Sequence, residues 1–182
     1  VQIGMHSLVI KTEILKDNHI YLDENCFYVD VEYILYPVPY INTVQFLDLY
    51  VYMYRLAVTT QSVSIQGYQK HMDDHINVIY HLTKFYNHYA KSGISEKTNY
   101  IGKRIAQMVG DQITIFVSFP ETDQVIKQKF IEFDRKLQEL SPEIYGRAGK
   151  ESGTLRMLRK TRFKGYKWIV RLCRQRNHVG KE

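Results

Sequence analysis

The chain has 182 residues, 45% of them apolar, enough to build the core of one domain or of a domain with a packed extension. Its longest apolar runs, such as 113–119, fall far short of the roughly 20 residues that span a bilayer, and no signal-peptide pattern opens it, so the expectation is neither a membrane-spanning nor a secreted protein. The net charge of +6 is uneven: residues 1–140 carry 13 Lys/Arg and 16 Asp/Glu, residues 141–182 carry 12 and 3, and any attraction to phosphate belongs to the tail.

Cys26 and Cys173 lie far apart, and neither sits in a Cys-x-x-Cys pattern, so a reducing compartment is the expected setting. The chain starts Val1-Gln2-Ile3-Gly4 and reads as regular structure almost at once, which is expected of a piece excised from a longer protein.

In chain order, 6–10 reads as a short strand and 11–16 as a helical turn closed by Asp17-Asn18. Residues 20–25 are polar and turn-like. In 26–36, Phe27, Val31, Ile34 and Leu35 recur at helical spacing, which turns Asp30 and Tyr33 to another face; Pro37 and Pro39 end the segment. Residues 44–56 are rich in Val, Tyr, Phe and Leu and favour a strand, without excluding a helix, and 59–64 read as a polar loop.

From 69 to 91, Met72, Ile76, Ile79, Leu82, Phe85 and Tyr89 repeat every three or four residues, the pattern of an amphipathic helix stopped by Ser92-Gly93. Helices follow over 95–109 and 122–140, with 113–119 open between strand and helix. Ser141-Pro142 and the glycines Gly146, Gly149 and Gly153 read as a joint. Beyond it, 155–158 and 166–173 read as one short and one longer basic helix.

Two carboxylates, Asp30 and Glu32, stand two positions apart in the aromatic run Cys26-Phe27-Tyr28-Val29-Asp30-Val31-Glu32-Tyr33. Desolvation in such surroundings raises a carboxylate pKa and suits a proton acceptor; the alternative is that both cap the helix or face solvent. The run 27–33, then Leu47-Asp48-Leu49-Tyr50 leading to Tyr52-Met53-Tyr54-Arg55, then Gln61-Ser62-Val63-Ser64, resembles the second half of a family 2 glycosyltransferase. In that family a late Glu-Asp motif opens a helix beneath the acceptor sugar, and its Asp is taken as the catalytic base. The matching residue is Asp30; Val29 replaces the preceding Glu, and Glu32 supplies an acid two residues later as a substrate-binding candidate.

The same resemblance makes Arg55, Gln61 and Ser62 candidates for holding the donor diphosphate or the acceptor, an Arg being able to neutralise a leaving phosphate; a structural ion pair is the other reading of Arg55. His6, in His6-Ser7-Leu8, resembles the family's entry to the acceptor side, and is a binding candidate or a packing residue. The family's nucleotide-binding βαβ half and its Asp-x-Asp metal motif have no match in the sequence. The resemblance therefore implies an enzyme using Mg²⁺ or Mn²⁺ to transfer a sugar from a nucleotide-sugar to a hydroxyl of a glycan, polysaccharide or lipid-linked acceptor. This chain would hold no metal and would not turn over alone.

His71 and His75 share a helix face at i, i+4, but the Glu of a His-Glu-x-x-His is missing, and a solvated helix surface is expected. The tail sets Arg156, Arg159, Lys160, Arg162, Lys164, Lys167, Arg171, Arg174 and Arg176 among Phe163, Tyr166, Trp168, Ile169, Val170 and Leu172. Three readings are open: a solvated helix with one packed face, a helix on an anionic membrane surface, and a nucleic-acid arm.

The expected architecture is α/β turning mainly α: a partial GT-A fold with a few strands in 1–68, then a helical region, 69–182, ending in the basic tail 141–182. The expected place is cytoplasmic, peripheral on the inner face of the membrane, in cell-wall or polysaccharide biosynthesis. The competing class is a non-catalytic helical module that binds nucleic acid or an acidic partner through its tail, and a third reading gives 69–140 a role in homo-oligomer formation.

Overall fold

A computed structural model of the chain describes residues 3–50, 52–53, 64–93 and 95–178, with side chains to 175. A 3-10 turn at Met5–Ser7 precedes α1 (Thr12–Asp17) and α2 (Asp30–Leu35), and a second 3-10 turn at Val38–Tyr40 follows. Then come α3 (Ile65–Lys70), α4 (Met72–Ala90), α5 (Glu96–Ser118), α6 (Gln124–Leu140), α7 (Pro142–Glu151), α8 (Gly153–Lys160) and α9 (Tyr166–His178). The protein is mainly α, as expected, and no strand occurs among the described residues.

Both expected strands differ. In place of a strand at 6–10, the 3-10 turn takes residues 6 and 7, closed by Ser7 N–H to the Gly4 carbonyl at 3.2 Å and Leu8 N–H to the Met5 carbonyl at 3.3 Å, and 8–10 are irregular. Residues 42–50 have a strand-like composition but lie exposed, with no backbone hydrogen bond among the described residues, although Phe46, Leu49 and Tyr50 are bulky and apolar. Strand propensity expresses packing on a neighbouring strand, and no such edge exists among the described residues. Residues 52–53 form no strand either, and the remainder of the expected strand, 51 and 54–56, lies outside the described residues.

α5 is the hub, packing against both α4 and α7. Its start is fixed by a capping box, in which Ser95 accepts from the Thr98 amide and the Thr98 hydroxyl accepts from Ser95 N–H at 2.6 Å. Ile101, Ile105, Met108, Val109, Ile113 and Phe116 keep helical spacing on its buried side, so the ambiguous stretch 113–119 continues the helix as far as Ser118 instead of forming a strand. Phe116 stacks on Phe130 of α6 at 4.5 Å, with Phe133 and Phe163 against the pair; full burial of each ring contributes roughly 2–3 kcal/mol.

The expected joint at 141–153 is instead helical. Ser141 accepts from Ile144 N–H and Pro142 takes the first helical position, where its missing N–H costs nothing. Gly149 is where the Arg159 guanidinium of α8 passes, since a Cβ there would stand 2.9 Å from Nη1. Ile34 and Leu35 of α2 belong to one apolar core with α4 to α9, and that core includes Leu155, Leu158, Tyr166, Ile169 and Val170 of the basic tail. No helix among the described residues is long and apolar enough to cross a membrane.

Candidate functional site

The approach to α2 contains two of the five described non-glycine residues with left-handed backbone. Asn25 and Tyr28 have φ of 53° and 69°, in the left-handed region that a bulky side chain seldom adopts. Tyr28 is held there by its ring, stacked on Tyr68 of α3 at 5.4 Å and edge-on to His75 of α4 at 5.0 Å. Phe27 is fixed alongside it, stacked on His71 at 3.6 Å, with its N–H donating to Asp74 Oδ2 at 3.4 Å. The result is a sharp approach to α2 that leaves Asp30 as its first residue, part-exposed, with no side chain capping the helix.

Glu32, two residues on, lies about 200° around the helix from Asp30 and is 0% exposed. Oε2 accepts from Asp23 N–H at 2.9 Å and Oε1 from the Tyr36 hydroxyl at 3.0 Å. Burial pushes its carboxyl above the usual range; those two hydrogen bonds oppose the rise, the nearby Asp23 carboxylate adds to it, and His81 counters. Burial beside Glu32 likewise pushes the Tyr36 phenol far up, so it remains a donor. The two acids that stand together in sequence are thus separated by the fold, one at the helix mouth and one inside.

His81 of α4 closes the cluster, with Nδ1 2.5 Å from Asp23 Oδ2. Asp23, Glu32 and His81 each offer one ligand atom within 4.8 Å of the others, a donor set that could hold a divalent cation. Hydrogen bonds already occupy all three groups, which together tie the 18–29 segment to α2 and α4. At Cys26, next to this clasp, burial, with Asp74, Asp23 and Glu32 nearby, pushes the thiol up to about 11, which favours the neutral thiol over the thiolate.

His6 stacks on Tyr52 at 4.6 Å, nearly parallel, and its 3-10 turn packs against α2. The structure therefore brings His6, Tyr52 and the helix of Asp30 and Glu32 into one neighbourhood. Arg55, Gln61 and Ser62 lie outside the described residues.

The expected solvated surface at His71 and His75 does not exist. His75 is 4% exposed, with Nδ1 2.8 Å from Gln112 Oε1, and burial lowers its pKa to about 4, only partly opposed by that hydrogen bond. His71 packs on Phe27 and pairs with Asp74. The signal for His75 was in the pattern, since 72, 75, 79, 82 and 86 form one helical stripe. Asp23 and His81, 58 residues apart, carried no comparable signal.

No family model matches the chain, and no curated protein or solved structure matches it.

Proposed function

We propose that this chain is the acceptor side of a family 2, GT-A-type glycosyltransferase, with Asp30 as the general base. The observation that carries the reading is the division of labour on α2. Asp30 opens the helix with access to solvent, while Glu32 is buried and engaged by two donors. A base must reach the proton it takes, and of the two carboxylates only Asp30 can meet a sugar. The strained turn at Tyr28 supports the same reading, since uncommon backbone geometry concentrates at functional sites.

In this reading an acceptor hydroxyl lies over the first turn of α2. As its oxygen attacks the anomeric carbon of the donor sugar, the bond to the nucleoside diphosphate breaks, the electron pair leaves with the phosphate, and the hydroxyl proton passes to the Asp30 carboxylate. His6, backed by Tyr52, faces the same neighbourhood and would orient the acceptor. Arg55, Gln61 and Ser62 remain candidates for the diphosphate and the sugar hydroxyls. The sequence contains no Asp-x-Asp, so donor binding and the Mg²⁺ or Mn²⁺ that neutralises the diphosphate are assigned to residues other than these.

The test is sugar transfer by the whole transferase that carries this chain. Asp30→Asn should lower turnover by about 10²–10⁴-fold with unchanged circular dichroism and melting temperature, while Glu32→Gln retains most activity. A fully active Asp30→Asn enzyme removes Asp30 from the chemistry.

A further inference from the structure

α8 and α9 are anchored: Leu155, Leu158, Tyr166, Ile169 and Val170 are all buried in the common core. What these helices expose is thus a fixed surface. Two of its arginines are committed inward, Arg159 to Asp134 at 2.6 Å and Arg174 to Glu121 at 2.8 Å. Arg156, Lys160, Arg162, Lys164, Lys167 and Arg171 are exposed, and none makes an ion pair among the described residues.

Apolar groups lie between these cations. Trp168 is 63% and Leu172 43% exposed, one helical turn apart on α9, beside the Lys167 and Arg171 stripe. Met157 of α8, 47% exposed, lines a cleft together with Leu172, Ile113, Val117 and Ile169. An exposed indole and a largely apolar cleft, carried by the same two helices as six exposed cations of which, among the described residues, only Arg171 feels a nearby carboxylate, that of Glu121, have two requirements at once: removal of apolar surface from water and a dense negative charge beside it.

We infer that this outer face of α8 and α9 docks on an anionic lipid bilayer. The indole of Trp168 sits at headgroup level, Leu172 and Met157 enter the acyl boundary, and the lysines and arginines meet lipid phosphates. Charge complementarity selects the occupant. A nucleic acid would satisfy the cations but leave the cleft and its aliphatic groups wet, whereas a bilayer satisfies both. The inference uses none of the α2 residues and is independent of the acceptor-side reading.

Trp168 is the only tryptophan, so its emission reports directly on docking. The experiment mixes chain 1–182 with vesicles of phosphatidylcholine alone or with about 30% phosphatidylglycerol, read by flotation and by Trp168 fluorescence at salt from about 0.1 to about 0.5 M. Expected are flotation with the anionic vesicles only, a blue shift of emission, and weakening with salt. At about fivefold per cation, Lys167→Gln with Arg171→Gln should reduce partitioning about 25-fold. Leu172→Ser should weaken the part of binding that survives high salt. No flotation with anionic vesicles overturns the proposal, as does flotation without a blue shift or unaffected by the glutamine pair. So does steep salt-dependent binding to duplex DNA or RNA in the absence of vesicle binding.

Discussion

Lowering the pH should unlatch His75 before it unfolds anything else of comparable burial. The imidazole is 4% exposed, faces Gln112 on α5, and meets the rings of Tyr28 and Tyr68, with no carboxylate among the described residues paired to it. Its pKa falls from the ordinary 6.5 to about 4 in the fold. A depressed histidine contributes stability that is complete above 6.5 and is lost as pH falls from there through about 4. At about 1.4 kcal/mol per pH unit of difference, the loss approaches about 3 kcal/mol, a large share of the roughly 5–15 kcal/mol that holds a domain together. Urea unfolding followed by circular dichroism, at several pH values from about 7.5 to about 4, should be run on the wild type and on His75→Gln, which keeps an amide toward Gln112 but cannot titrate. The wild type should lose about 3 kcal/mol relative to the variant across that range. Parallel curves would refute the buried, neutral imidazole.

Glu32 should show the opposite sign. Its folded pKa lies above the ordinary 4.5, so the ionised group costs stability as pH rises through that window, and Glu32→Gln should flatten the decline. Glu32→Ala should cost about 2–4 kcal/mol by orphaning the Asp23 amide and the Tyr36 hydroxyl, measurable by denaturant titration. Arg159 grips Asp134 through two nitrogens, donates to the Tyr145 carbonyl at 2.8 Å and lies 3.4 Å from the Tyr145 ring centre. Arg159→Met should cost about 3–5 kcal/mol by leaving a buried carboxylate unpaired, and adding Asp134→Leu should recover most of it. Gly102→Ala places a Cβ 2.9 Å from the fully packed Tyr86 ring; the clash should outweigh the gain in helix propensity and lower stability by about 1–2 kcal/mol in thermal melts.

The long helices are legible because their apolar residues keep a 3.6-residue period, and Ser92-Gly93 marks the stop of α4; the end of α5 is not, since it runs to Ser118, nine residues past the expected 109. The strand expected over 44–56 does not form over its described residues, 44–50 and 52–53, for a physical reason: Val, Phe and Tyr report a preference for a pleated neighbour, and sequence cannot say whether one is present. The glycines at 146, 149 and 153 looked like a joint, yet the start signal of Ser141-Pro142 prevails over them. At the site, the carboxylate pair on α2 was visible from spacing and composition. The sorting of Asp30 outward and Glu32 inward was not, because it depends on Asp23, Tyr36 and His81 arriving from elsewhere in the chain.

The bare segment 42–50 makes covalent continuity and cohesion separate properties in this fold. A protease should find its first cut there, where nine residues offer their amides to any active site that accepts an extended chain. The two pieces would not part. Leu35 is sealed in the core, His81 holds Asp23, Lys97 Nζ donates to the Pro39 carbonyl at 2.9 Å, and Tyr40 meets Tyr89 hydroxyl to hydroxyl. A nicked molecule should run as two bands on a denaturing gel and as one species in solution.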